Sequence, residues 1–369
     1  MQSGTRIDFN AARWASVRRN YADWWAGRLQ RPLIAATLNG CGPERPRPDT
    51  PLHGFQAFHG LDAPVERIVD AWQWQLEGQR YLGDAFPSVW PNFGPGAIAA
   101  FMGCDLLGSQ EVGTVWFHPR ELRPAKDLTL ALDDDAPWYR RVRELSSAAD
   151  ARFAGLVQVG MTDLGGNLDI LSSFRPGEHL LFDLYDCPEE VERLTWQAHA
   201  RWWECFERLR GCLPHNPGYT TWAAVFSEEP YYMLQCDFCY MIGPEMFDRF
   251  VKPELAASCR RLKHAFYHLD GPGQLPHLDS LLEIPELKGV QWIPGAGQPD
   301  ITHWPEVYRR IRAAGKLIQV YAAQSAHGWE AVDILADQLG SASGILMIGD
   351  GPVTDEPRVL RVLHRYGCA

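Results

Sequence analysis

The sequence is poor in the features that would send it to a membrane, a secretory route or a nucleic acid. It has no run of about 18 apolar residues, the length a spanning helix needs, and Met1 to Phe9 show no basic, apolar and small-residue leader. Neither a membrane span nor a secretory signal is expected. Basic residues are outnumbered, 35 against 46 acidic, giving a formal net charge of −11 spread along the chain. Nucleic acid is excluded as a partner, because binding it takes a clustered basic surface that releases counterions. Nine cysteines in 369 residues are too few, and odd in number, for a disulfide framework. Free thiols in a reducing cytoplasm are the expectation. The glycine pairs at Gly94 and Gly96 and at Gly165 and Gly166 match no phosphate-binding fingerprint, so no nucleotide is invoked. There is no internal repeat, low-complexity stretch or linker that would split the chain.

What is present is material for a large core: 46% hydrophobic residues, 12% of all residues aromatic. Residues 9–30 carry Trp14, Val17, Tyr21, Trp24 and Trp25 at helical spacing and predict a helical N-terminal extension over 1–30. From Arg31 onward apolar runs alternate with amphipathic stretches. Strands are predicted at 32–38, 87–93, 156–161, 220–226, 265–270, 289–294, 316–321 and 344–350. Helices between them start at signals such as Asp186, Pro188 and Glu189, and several end at glycine. Buried strands separated by helices imply parallel pairing. Eight such units predict one (β/α)8 TIM barrel over 31–369.

In such a fold the chemistry sits where the strands end, at their carboxyl face. The stretch His264 to Gly273, HAFYHLDGPG, is the sharpest example: an apolar strand stops at His268, Asp270 and a Gly-Pro-Gly turn. Residues two apart on a strand share a face, so His268 and Asp270 project to one spot. The alternative is that Asp270 only shapes the turn and His268 is a satisfied core histidine. Other polar residues at strand ends are Asn39, Asn92, Asp163 with Asn167, Glu228 with Glu229, Gln298, Gln324 and Asp350. His268, Asp270, Glu228 and Asp163 are the candidate catalytic groups. Asn92, Trp222, Tyr267, Trp292 and Gln324 are the candidate substrate contacts, a pocket of aromatic walls with a few polar groups. His277 and His327 are second-tier candidates. Cys236 and Cys239 form one C-x-x-C, which binds zinc, cycles as a disulfide or simply packs as two small side chains.

Four segments, LFDLYDCPEEVERL (181–194), MIGPEMFDRFVKPEL (241–255), YHLDGPG (267–273) and GILMIGDGPVTDEP (344–357), resemble stretches of the uroporphyrinogen decarboxylase superfamily. That superfamily includes zinc-dependent methyltransferases serving corrinoid proteins. The likeness is diffuse, spans residues 85 to 366, and lies mainly in the order and spacing of the segments. It implies a (β/α)8 barrel with its site at the carboxyl face. In the methyltransferase branch, the segment similar to YHLDGPG carries His-x-Cys and the one similar to IGDGP carries Gly-Cys, and these three residues hold zinc. At the matching positions stand His268, Asp270 and Asp350, so the resemblance implies a metal set of His268, Asp270 and Asp350 with carboxylates for both thiolates. Carboxylates are harder ligands, suited to zinc, iron, manganese or magnesium. The same three residues could equally form a metal-free acid/base group. The decarboxylase branch carries an early Arg-Gln-Ala-Gly-Arg segment for substrate carboxylates, and Leu38 to Gly42 replace it here. A tetrapyrrole substrate is therefore not expected.

Three expectations follow from these residues and this likeness. The first is methyl transfer between a small polar substrate and a corrinoid (cobalamin) protein, with a divalent metal, zinc first. The second is a decarboxylase or other lyase or hydrolase acting on a small carboxylated substrate with no protein partner. The third is a barrel that binds a ligand without catalysis. A homodimer is compatible with the helix-rich exterior, although no interface signature is visible.

Overall fold

The computed structural model describes residues 6–368. Its strands, in chain order, are β1 (Leu33–Asn39), β2 (Gln79–Gly83), β3 (Ser88–Val89), β4 (Cys104–Ser109), β5 (Thr114–Pro119), β6 (Gln158–Val159), β7 (Tyr231–Leu234), β8 (His264–Asp270), β9 (Leu287–Ile293), β10 (Leu317–Tyr321) and β11 (Ile345–Pro352). Seven of them form one sheet in the order β2-β1-β11-β10-β9-β8-β7. All its pairings are parallel except β1 with β2. The chain is thus a mixed α/β protein around a mostly parallel sheet. Its parallel strands are mainly apolar runs buried on both faces, as helix-covered parallel strands must be, whereas the antiparallel β2 is mostly half-buried.

The expected closed eight-stranded barrel is not formed as a continuous ladder. β3 and β6 pair only with each other, over two residues each, and β4 and β5 make a separate antiparallel hairpin. The strand predicted at 220–226 is absent. Ala224 has a positive φ of 53°, and the segment folds into a turn bridged between Tyr219 and Ser227. The β-branched and aromatic residues there fill the core instead, and the strand that enters the sheet is the shorter YYML that follows.

The expected N-terminal helix is observed at Ala11–Trp25, capped by the Asn10 side chain, which accepts from the Arg13 N–H at 3.0 Å. It packs into the common core: the Trp25 indole donates to the Phe226 carbonyl at 2.9 Å and stacks on His264 at the start of β8, while Trp24 stacks on Phe266. This helix therefore covers the amino ends of β7 and β8 and leaves their carboxyl ends free. Helix Pro188–Gly211 has Pro188 in its first turn, Glu189 and Glu190 beside it, and Arg208 and Arg210 in its last turn, charges that oppose the helix dipole. No helix among the described residues is long and apolar enough to cross a membrane. All nine cysteines are unpaired.

Candidate metal centre

Parallel register sets the site. His268 on β8 is level with Gln291 on β9, and Gln291 with Gln319 on β10, so the three side chains form a row on one face of the sheet. Gln291 and Gln319 are fully buried. Gln319 Nε2 donates to the Val320 carbonyl at 2.9 Å, which turns its Oε1 toward Gln291 Nε2. Gln291 must then present Oε1 to His268 Nδ1, 2.5 Å away. An oxygen acceptor there requires the histidine proton on Nδ1. Nε2 is free of that bond, and in the neutral ring it carries the lone pair of a metal ligand or general base. Trp222 meets the His268 ring edge-on, at 4.9 Å and 89°.

Ligand atoms of Asp237, His268 and Asp270 lie within 4.8 Å of one another, the one group among the described residues able to hold a metal ion. Asp237 stands just beyond β7 and Asp270 at the last position of β8, so all three gather at the carboxyl ends of adjacent strands. Gln274, itself buried, donates from Nε2 to Asp237 at 3.5 Å and accepts from the Tyr267 hydroxyl at 3.3 Å. Asp237 reaches solvent, yet the protein around it still desolvates the carboxyl and, with the Asp270 charge, pushes its pKa up against the pull of His268. Asp169, on helix Asn167–Phe174, accepts from the Asp237 and Phe238 N–H groups at 2.9 and 2.7 Å. Burial and the Asp237 charge push it well above the ordinary carboxylate range.

Asp163, past the end of β6, is 5% exposed. Its Oδ1 accepts from the Gly165 N–H at 2.8 Å, with Gln235 Nε2 at 3.4 Å and the Tyr232 hydroxyl at 3.5 Å. Burial, reinforced by Asp237, pushes its pKa up to about 6, while the Gly165 N–H and the His268 charge oppose the rise. The loop comes this close because of two glycines. A Cβ on Gly165 would sit 2.6 Å from Gly96 Cα, and one on Gly166 would sit 2.5 Å from the Gln235 carbonyl oxygen.

Several sequence expectations are corrected by this geometry. Asp350 is solvent-exposed, is paired level with Thr37 before β11 ends, and stands outside the metal group, where Asp237 takes its place. Glu228 precedes β7 instead of following a strand, so it lies at the amino side, exposed and 3.6 Å from Arg18 of the N-terminal helix. Tyr267 and Trp292 alternate with His268 and Gln291 and so face away from the row. Both are buried, Trp292 edge-to-face with Trp304. Asn92 shapes a turn: its side chain donates to the Gly54 carbonyl and accepts from the Gly94 N–H. Gln324 lines a separate cleft of ≈ 590 Å³ near Asp300. His277 is buried, bonded to the Cys239 carbonyl and stacked on Phe247, and His327 is exposed. Cys236 and Cys239 are buried, and burial raises the Cys236 thiol pKa. They frame Asp237 and are not ligands of the group. His268, Asp270, Asp163 and Trp222 are brought together as expected.

Asp237, Asp169, Gln274, Gln291 and Gln319 escape the sequence reading. Asp237 was within reach: YYML followed by QCD is an apolar strand ending in a carboxylate, the same pattern that marks Asp270. Comparison with models of known protein families gives no match, and comparison with curated proteins gives none either. The likeness to the uroporphyrinogen decarboxylase superfamily accordingly rests on the motif segments themselves.

Proposed function

We propose that this chain is a divalent-metal-dependent enzyme acting on a small oxygen-bearing substrate as a lyase or hydrolase, with Asp237, His268 and Asp270 as the metal set. The observation that carries it is the convergence of one imidazole and two carboxylates, with the imidazole tautomer fixed by Gln291. One nitrogen and two oxygen donors suit zinc, manganese, iron or magnesium, and they make poor partners for activating a substrate thiol. A metal held there would polarise a substrate oxygen or acidify a bound water. His268 would offer Nε2 while Gln291 holds its ring in place, and Asp270 and Asp237 would supply the charge. Asp163, with a pKa near 6, is matched to giving or taking a proton near neutral pH. Trp222 keeps one side of the imidazole dry. We also propose that β1, β3, β6 and β7 to β11 follow the path of a TIM barrel whose ladder is interrupted at β3 and β6.

The test is metal content after equilibration with Zn²⁺ or Mn²⁺ and desalting, for the wild type and for His268→Ala and Asp237→Asn, with circular dichroism to confirm folding. Stoichiometric metal in the wild type and loss in both folded variants is expected; equal metal in all three refutes the reading. Methyl transfer to a corrinoid protein is the second reading. It is favoured by the open cleft of ≈ 600 Å³ beside Asp237, where a partner's cofactor could approach. Metal-dependent demethylation of added methylcobalamin, followed by its absorbance, would establish it over the first.

A further inference from the structure

The cleft beside Asp237 has a lining that selects its occupant. It holds ≈ 600 Å³, the size of a small-molecule site and too small for a folded partner. One wall is the β4–β5 hairpin with Trp116 and Phe117, and another is the turn after β7 with Phe238 and Met241. Trp116 and Met241 are among the large apolar side chains most open to solvent, at 44% and 54%. The acids that line it are Asp169, Asp237 and Glu178; the exposed His118 lines it as well, and no lysine or arginine does. Asp237 belongs to this cleft and to the metal group at once, so a molecule lying in the cleft would have one end at the reacting centre.

We infer that the cleft binds the body of the substrate, and that this substrate is a small organic cation: an amine carried on an aromatic or aliphatic skeleton. The inference deepens the proposed function and rests on it for placing the reacting end at Asp237. Aromatic ring faces are electronegative and attract ammonium groups, and carboxylates with no lysine or arginine beside them do the same. An anion would meet like charge with no compensating guanidinium or ammonium. Asp169 and Glu178 line the cleft beside the metal set, and an organic cation held there offsets their charge.

The probes are phenethylamine and its neutral isostere 2-phenylethanol, titrated by calorimetry into the full-length, Zn²⁺-saturated protein and into Glu178→Gln and Trp116→Ala. The amine should bind about fivefold more tightly than the alcohol. That preference should shrink by about half in Glu178→Gln and fall between 20 mM and 500 mM salt, on the order of what an exposed charge contributes. Trp116→Ala should weaken both probes. Equal affinity for amine and alcohol, or binding of neither, overturns the inference. Zn²⁺ affinity measured on the same samples separates the two claims. Tight Zn²⁺ binding without amine preference removes the cation cleft and leaves the metal centre. Amine preference without Zn²⁺ binding removes the metal centre and leaves the cleft.

Discussion

Replacing Asp163 by asparagine should stabilise the protein by an amount that grows as pH rises from about 4 to about 6 and is full above that. In the folded chain this carboxyl is raised from 3.8 to about 6, chiefly because burial disfavours its charge. A folded pKa above the unfolded one means that the fold prefers the protonated form. The associated stability is fully present below 3.8 and is lost as pH rises through 6. Beyond that the ionised carboxylate costs the fold roughly 3 kcal/mol. An asparagine side chain would match the aspartate in shape and keep the Oδ1 that accepts from the Gly165 N–H at 2.8 Å. Asp163→Asn should therefore gain up to roughly 3 kcal/mol at pH 8 and much less at pH 4.5. At roughly 1–2 °C per kcal/mol for a chain of this length, extrapolated from smaller domains, that is a rise in Tm of about 3–6 °C at pH 8. Scanning calorimetry and urea midpoints at both pH values measure it. Saturating Mn²⁺ should shrink the gain, since a nearby cation offsets the Asp163 charge. A variant equally stabilised at both pH values, or destabilised at pH 8, would refute the reasoning.

Asp270→Asn should lower Zn²⁺ affinity at least about a hundredfold by equilibrium dialysis, because loss of even an outer partner of a ligand costs about 10–100-fold. Asp350→Asn should leave it within about twofold, whereas an Asp350 ligand would make the two variants alike. Gln291→Leu should weaken the metal by about 10–100-fold; ¹⁵N NMR should show His268 losing its single Nδ1–H tautomer, and an unchanged spectrum would count against the glutamine row. Gly289→Ala should lower the urea midpoint by an amount equivalent to about 1–3 kcal/mol. Its Cβ would stand 2.1 Å from Phe266 Cζ and 2.7 Å from the Leu317 carbonyl oxygen. Glu228→Gln, on the amino side of β7, should leave metal affinity and any turnover unchanged, and a loss in either would return Glu228 to the site.

Continuous apolar runs made β1 and β8 to β11 legible in the sequence, and the abrupt end of HAFYHLDGPG exposed His268 and Asp270. The seventh strand shows how one misplaced element changes a site. TTWAAVF has the composition of a strand, but composition reports fitness for a buried surface and not backbone direction. Moving the strand to Tyr231–Leu234 shifts Glu228 to the amino side and brings Asp237 to the carboxyl side. The Asp350 assignment came from a motif whose cysteine is replaced here, and the replacement removes the reason to place a ligand there. Helix 65–77 ends at Gly78, and the next five residues turn back as β2 against β1, a reversal that the amphipathic pattern running on to Leu82 conceals. The glutamine row needed register, which no single strand's sequence contains.

The way the fold treats its other buried acids separates a functional reading of the site from a structural one. Asp84 is paired with Arg31 at 2.7 Å, Asp183 with Arg175 at 2.5 Å, and Asp150 accepts from the ring and backbone of His215. Glu254 is held by His199, Asn167 and Ser258, each at 2.7 Å. Asp300 collects Thr302, His303, Ser325 and the Ala326 N–H, and against its burial the Thr302, Ala326 and His303 bonds push its pKa down. Buried or half-buried acids in this chain are thus matched to donors or cations, as the cost of an uncompensated charge demands. The strand-end group differs: Asp163, Asp169 and the solvent-reaching Asp237 accept hydrogen bonds only from backbone N–H groups, amides and a tyrosine, from no lysine, arginine or histidine, and all three are pushed up. A fold able to satisfy Asp84 could satisfy these as well. Concentrating the shortfall of positive charge at the one place where an imidazole presents a free nitrogen is what a site built to receive a cation requires. It also explains why neutralising Asp163 should make the protein more stable while removing the group best placed to move a proton.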